Sequence, residues 1–254
     1  MPHLSKIRIN PRRRDAIRLL GNPQALHATV LAGITEQPVT ERVLWRLETT
    51  DPHQPHLLVL THTKPDWSHL VEQAGWPHGD GEHALVRDYS PLLDRIVTGR
   101  EFAFRLTANP VQNTRQPEKL TASQAERANR PSGEKRPPRG YRLAHRTAAH
   151  QLSWLLDKTP RLGFEIPTVT GHSDTQSGEP SPADVLLTAR NQLRFRKNRS
   201  DRQVILSTAT FEGRLRVTDP NALRAALLEG IGPAKSYGCG LLTLAPLPAD
   251  RAHG

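Results

Sequence analysis

Apolar residues recur along the chain with two periods, every second position in some stretches and every third to fourth in others, and the switches between them mark out strands and helices. In "LSKIRIN", positions 4–10, Leu4, Ile7 and Ile9 follow a loose alternation that predicts a first strand. "RRRDAIRLLGNP" turns helical and stops at Gly21-Asn22-Pro23. A second helix is predicted over "PQALHATVLAGI", where Pro23 stands at a position whose missing N–H costs nothing. Leu26, Val30 and Ile34 share one face of that helix, and His27 lies off the stripe. "RVLWRLET" and "HLLVLTHT" read as strands, and "EFAFRLTANP" alternates through Phe102, Phe104 and Leu106 before a proline stop. Trp45, Phe102, Phe104 and Trp154 all sit at apolar-periodic positions, where core packing is expected.

The pattern then lapses. Positions 111–140 are polar and proline-bearing, which predicts a linker or mobile loop. Helical periodicity returns in "YRLAHRTAAHQLSWLLDK" through Leu143, Leu152, Leu155 and Leu156, and another loop is expected over 171–184. "VLLTARNQLRFRKN" and "RQVILSTATFEGRLRV" are strand-like and flank a polar tip at Asn198 to Asp201, so a long hairpin is predicted. "DPNALRAALLEG" reads as a short helix, capped by Asp219, opened by Pro220 and closed by Gly230. A glycine turn and a last strand, "LLTLAP", complete a second unit. The expected class is α+β: two tandem ferredoxin-like domains, 1–110 and 141–254, joined by the 111–140 linker, with a C-terminal glycine-rich loop.

Composition adds a partner. The 35 Lys and Arg residues exceed the 25 Asp and Glu, a formal charge of +10, which favours a polyanion. A merely soluble basic surface is the plain alternative, and clustering separates the two. The single cysteine, Cys239, excludes an internal disulfide framework and a cysteine-based zinc site, as fits a reducing cytoplasm. No apolar run approaches the ~20 residues that span a bilayer, and "MPHLSKIRIN" lacks a signal-peptide core, so a cytoplasmic protein is expected.

The charge is clustered. Arg190, Arg194, Arg196, Lys197, Arg199 and Arg202 crowd the hairpin against Asp201 alone. On a strand Arg194 and Arg196 share a face while Phe195 takes the other, and a basic two-stranded ribbon suits phosphates and base edges. Protection of an edge strand by charge is the competing account. Arg12, Arg13, Arg14 and Arg18 form a second cluster around the first helix, near His27 in sequence.

"GIGPAKSYGCGLLTLAP", positions 230–246, packs four glycines and Lys235 into its first eleven residues. Such backbone can approach an anion closely. A phosphate loop counted back from Lys235 and Ser236 would need glycine at 234 and 229, which hold Ala234 and Glu229, and no G-x-G-x-x-G occurs either. A phosphate bound there therefore belongs to a polymer. An isolated helical histidine such as His27 is ordinarily a surface or packing residue. It gains meaning if RNA is the partner, because RNA carries its own nucleophile and cleavage needs only positioning, proton transfer and charge stabilisation. His53, His56, His62 and His69 match no metal-ligand spacing, and the acidic residues are not grouped, so metal-free chemistry without a cofactor is expected.

The glycine-rich stretch, with "LSKIRIN", "GNPQALHATV", "LWRLE", "KPDWS", "FRLTANP" and "FEGRLRV" in the same order, closely resembles the CRISPR-associated endoribonucleases of type I-E systems, the CasE family. The resemblance implies two tandem ferredoxin-like domains that bind the hairpin of a CRISPR repeat transcript and cut once at its 3′ base. It implies metal-independent cleavage to a 5′-hydroxyl and a 2′,3′-cyclic phosphate, retention of the guide RNA, and entry into a surveillance complex with other subunits. His27 falls on the family's catalytic histidine, the ribbon at 194–199 resembles the element that docks on the RNA stem, and the glycine turn is then expected to pack near the RNA or the first domain with Lys235 as its phosphate contact. Three residues before the histidine the family carries tyrosine where this chain has Gln24, an amide that can hydrogen-bond but not act as an acid. Tyr237 and Arg12 to Arg18 are the candidates to replace it. Two rivals remain open: an RNA-holding scaffold subunit that no longer cuts, and a generally basic nucleic-acid protein with no preference for one hairpin.

Overall fold

The computed structural model describes residues 1–79, 81–114, 141–169, 182–196 and 203–247. Its described strands form two large antiparallel sheets, each with its helices, and one separate two-stranded pair, a mixed α+β make-up. In the first, β1 (His3–Arg8) is central, flanked by β3 (His56–Thr61) and β4 (Ala84–Asp88), with β2 (Leu44–Glu48) outside β3, giving the order β2-β3-β1-β4. Helices α1 (Arg14–Leu20) and α2 (Pro23–Ala32) connect β1 to β2, and α3 (Ser68–Ala74) connects β3 to β4. Ile7, Ile9, Leu57 and Val59 from the strands meet Leu19, Leu26, Val30 and Leu70 from the helices in one buried core. The predicted stripe of α2 therefore faces inward, with Ile34 just beyond its end in the same core.

The second sheet runs β11-β5-β10-β8, from Leu242–Ala245, Glu101–Ala108, Gln203–Val217 and Phe164–Glu165, and β9 (Val185–Arg196) pairs with β10. Helix α4 (Ser90–Asp94) lies between the sheets in sequence, while α5 (Ala148–Leu156) and α6 (Pro220–Glu229) belong to the second. Strand β5 buries every second residue, Phe102, Phe104, Leu106 and Ala108, as its alternation predicts. Those rings pack with Trp154, Phe211, Leu215, Leu223 and Leu227, and the same core takes in Leu44 and Leu60 from the first sheet. At the head of α6 the Asp219 carboxylate accepts from the N–H groups of Asn221 at 2.9 Å and Ala222 at 3.1 Å, the predicted cap.

Strand pairing departs from the sequence pattern in three places. Strand β5, which a boundary at 110 assigns to the first unit, pairs with β10 and β11, so sequence order and sheet membership part company there. Val111–Thr114, inside the expected linker, is a strand, β6, and it pairs with β7 (Tyr141–Ala144), where a helix was expected. Leu143 follows a period of two as readily as one of 3.6, and the helix begins only after Thr147, whose hydroxyl accepts from the His150 N–H at 3.2 Å. The rest of the expected linker, 115–140, lies outside the described residues, as do 171–181 of the second predicted loop and the whole hairpin tip at 198–201.

Candidate active site

Helix α2 presents His27. Its first turn is fixed by Asn22, whose side-chain oxygen accepts from the N–H groups of Gln24 at 3.0 Å and Ala25 at 3.2 Å, with Pro23 supplying the preset first φ. Gln24 lies one turn before His27 on the same helix face. Across from them, Trp45 on β2 donates its indole N–H to His27 Nδ1 at 3.3 Å. Burial pushes the His27 pKa below the ordinary histidine value.

The glycine-rich turn closes on the same strand. A Cβ at Gly230 would stand 2.7 Å from Leu44, and one at Gly238 would stand 2.7 Å from the Trp45 ring. Both glycines have left-handed φ, 75° and 80°. Backbone freedom in this stretch thus lets the end of the second unit seat directly on β2 of the first. Between them, Lys235–Tyr237 forms a 3-10 turn packed against α2. Lys235 is half-buried there, and burial, then the neighbouring Arg42, lowers its pKa.

Tyr237 ties the turn to the hairpin, its ring 4.7 Å from that of Phe195 on β9. Phe195 is buried, while Arg194 and Arg196 on either side of it are exposed, which is the two-faced ribbon the alternation predicts. Arg196 stands opposite Gln203 and Arg194 opposite Ile205. Strand β5 ends at Ala108 opposite Ala209, so the length from Gln203 to Thr208 pairs with β9 alone among the described strands. Lys197 and Arg199 lie outside the described residues. Arg194 bonds the Gln192 amide oxygen through Nε at 2.9 Å, whereas Arg190 turns back to Gln151 and the Arg146 carbonyl.

The α1 cluster is less convergent. Arg12 is exposed, but the Arg13 guanidinium reaches the Gly75 carbonyl at 3.4 Å, at the end of α3, and Arg18 pairs with Asp15 at 3.7 Å. The structure therefore carries Gln24 and His27 on α2, packs the turn with Lys235 and Tyr237 against that helix, and ties Arg13 to the first unit's own frame. Among the described residues, no three His, Cys, Asp or Glu side chains are grouped as a metal would require, and no helix is long and apolar enough to cross a membrane.

Sequence reasoning missed the ion pairs beneath this site. Arg46 bonds Glu48 through Nε at 2.6 Å, the carbonyls of Arg105 at 2.9 Å and Leu241 at 2.7 Å, and the Thr243 hydroxyl at 2.7 Å. Its side chain is 3% exposed, and Glu48 at 8% also pairs with Arg105 at 3.1 Å. Arg105 in turn meets Glu212 on β10 at 3.2 Å. The alternation of "LWRLE" places Arg46 on the face opposite Trp45, but nothing local says that this face meets a second sheet. The pairs floor a cleft of about 500 Å³ between the units, whose rim includes Leu26, Trp45, Thr208 and Tyr237. Cys239, also lining it, is buried, and burial pushes its thiol pKa up to about 12.

This architecture has known counterparts. The model of a CRISPR-associated protein family matches residues 2–246. The CRISPR-associated endoribonuclease Cse3 of Thermus thermophilus is 31% identical over 249 residues, covering 96% of this chain and 99% of that protein. The CRISPR system Cascade subunit CasE of Escherichia coli is 57% identical over a shorter stretch of 42 residues, 16% of this chain and 21% of that one. Among solved structures, Thermus thermophilus Cse3 bound to an RNA representing a pre-cleavage complex superposes with a TM-score of 0.69 at 30% identity, over 96% of this chain and 99% of that one. Matched over nearly all of its length in sequence and in fold, the chain belongs to the CRISPR-associated Cse3/CasE family.

Proposed function

We propose that the protein is an endoribonuclease that binds a CRISPR repeat hairpin, cleaves at its 3′ base and retains the guide RNA. The observation that carries this reading is His27, held midway along α2 by the Trp45 indole, in a chain that aligns over nearly all of its length with a named CRISPR endoribonuclease. RNA supplies the nucleophile: the 2′-oxygen attacks the adjacent phosphorus, the bond to the 5′-oxygen breaks, and a 2′,3′-cyclic phosphate and a 5′-hydroxyl result. No metal enters this scheme, and His27 acts at the scissile phosphate. A positioned group of this kind contributes roughly 10²–10⁴-fold.

Around it, Gln24 orients RNA through its amide, Lys235 neutralises a phosphate, and Tyr237 backs the ribbon. Arg194, Arg196, Lys197 and Arg199 grip the stem, with Arg12 at the edge of the surface and Arg13 behind it. Each sheet with its helices is one ferredoxin-like unit: the orders β4-β1-β3-β2 and β11-β5-β10-β8 follow the same scheme. On that reading the division falls before β5 rather than at 110, and the ribbon is an extension of the second unit. Assembly with other subunits in the cytoplasm belongs to this reading, and the 57% identity over 42 residues with the Cascade subunit CasE supports the assembly.

Single-turnover cleavage of the cognate repeat hairpin in excess EDTA tests the reading. Cutting by the native protein is expected, with loss on His27→Ala and on removal of the scissile 2′-hydroxyl. Gln24 in place of a phenol favours a second reading, a guide-holding scaffold, and tight binding without cutting in every sample would establish it.

A further inference from the structure

The contact between Trp45 and His27 fixes more than orientation. An indole Nε1–H can only donate, so the Nδ1 that lies 3.3 Å from it must present a lone pair. A neutral imidazole has one N–H, which leaves that hydrogen on Nε2. Trp45 is 2% exposed, so water does not offer its N–H a ready alternative. Its ring is backed on the other side by Gly238, where any Cβ would press to 2.7 Å. The glycine turn, the indole and the imidazole are thus stacked in series.

We infer that Trp45 is a positioning residue that holds His27 in the Nε2–H tautomer, so that His27 meets the RNA as a hydrogen-bond donor and not as the base for the 2′-hydroxyl. This rests on the reading that His27 acts at the scissile phosphate. Accepting the 2′ proton at Nε2 would require the opposite tautomer, in which Nδ1–H faces the indole N–H. Forming the imidazolium creates the same clash. The Nε2–H therefore offsets charge growing on an oxygen of the reacting phosphate. As the 2′-O–P bond forms and the P–5′-O bond breaks, the 2′ proton passes to water and the 5′-oxygen takes one from water. The glycine turn contributes to cleavage through Trp45, a role separate from any phosphate contact by Lys235.

The charged and titratable side chains on the elements packed against α2 are Arg14, Asp15 and Arg18 on α1, Arg46 and Glu48 on β2, His69 and Glu72 on α3, and Lys235 and Tyr237 in the turn. Burial, not any of these, is what lowers the His27 pKa.

Long-range proton–nitrogen NMR on RNA-free protein labelled at histidine nitrogen reads the tautomer directly, with His27→Gln identifying the signal. A protonated Nε2 and a bare Nδ1 are expected; the reverse pattern would overturn the inference, whether or not the protein cuts RNA. Trp45→Phe keeps the ring and removes the donor. In that variant both tautomers should appear, the acid limb of the cleavage profile should move to higher pH, and the plateau rate should fall by roughly tenfold. An unchanged limb with an unchanged tautomer would also overturn it. Should Trp45→Phe fail to fold, the native spectrum alone decides.

Discussion

Two pairs of arginines in this molecule share a chemistry and differ in surroundings. Arg46 and Arg105 lie between the sheets, where Arg46 meets a carboxylate, two carbonyls and a hydroxyl. Arg194 and Arg196 stand exposed on a ribbon whose other face buries Phe195. A buried guanidinium without its partners is costly, so Arg46 is bound to this one arrangement of the two units, with the part-exposed Arg105 beside it. An exposed guanidinium costs little to keep in water and is available to a ligand. Positive charge in this chain is divided between cohesion and recognition, and only burial tells which is which.

The sharpest way to break the comparison is Arg46→Ala. It leaves Glu48 with Arg105 as its remaining partner and takes a donor from the Arg105 and Leu241 carbonyls, so a loss of about 3 kcal/mol is expected in urea denaturation. A loss under about 1 kcal/mol would show that water replaces the guanidinium without penalty.

Next comes the opposite outcome on the ribbon. Arg194→Ala with Arg196→Ala should leave stability within about 0.5 kcal/mol, as surface changes do. Hairpin affinity should nevertheless fall about tenfold or more, with the salt slope shallower by roughly one for each phosphate no longer neutralised. Filter binding across a salt series measures both quantities, and unchanged affinity would remove the ribbon from the RNA interface.

The smallest effect concerns groups between the two extremes. Burial lowers the pKa of the half-buried His27 and His56 in the folded protein. The unfolded chain therefore binds protons first on acidification, and stability should decline as pH drops from about 6.5 through the folded values. His27→Gln should flatten that decline in part, leaving the share of His56 and of the similarly lowered His145. Denaturation midpoints measured at several pH values give the slope, and an unaltered slope would show that His27 titrates normally.

Much of this arrangement was legible in local pattern. Asn22-Pro23 and Asp219-Pro220 set their helices, the alternation of β5 set its buried rings, and the alternation around Phe195 separated the ribbon's two faces. The parts that were not legible depend on long-range partners. Nothing in "EFAFRLT" says that it pairs with residues a hundred positions later, and "YRLA" has too few residues to distinguish a strand from the start of a helix. His27 was found by resemblance and by its chemistry, but Trp45 looked like any core aromatic, because the bond between them spans 18 positions. The glycine turn invited a phosphate, and the structure adds a packing reason for two of its glycines, Gly230 against Leu44 and Gly238 against Trp45.

Cys239 gives the molecule a practical property. It is the chain's one cysteine, buried, with its thiol shifted to about 12, and so almost wholly protonated at neutral pH. Maleimide and iodoacetamide reagents attack the thiolate and should pass the native protein by. A cysteine introduced at an exposed ribbon position would then accept a fluorophore selectively, with the natural residue left in place. Energy transfer between such a dye and one on the RNA could follow hairpin docking in real time.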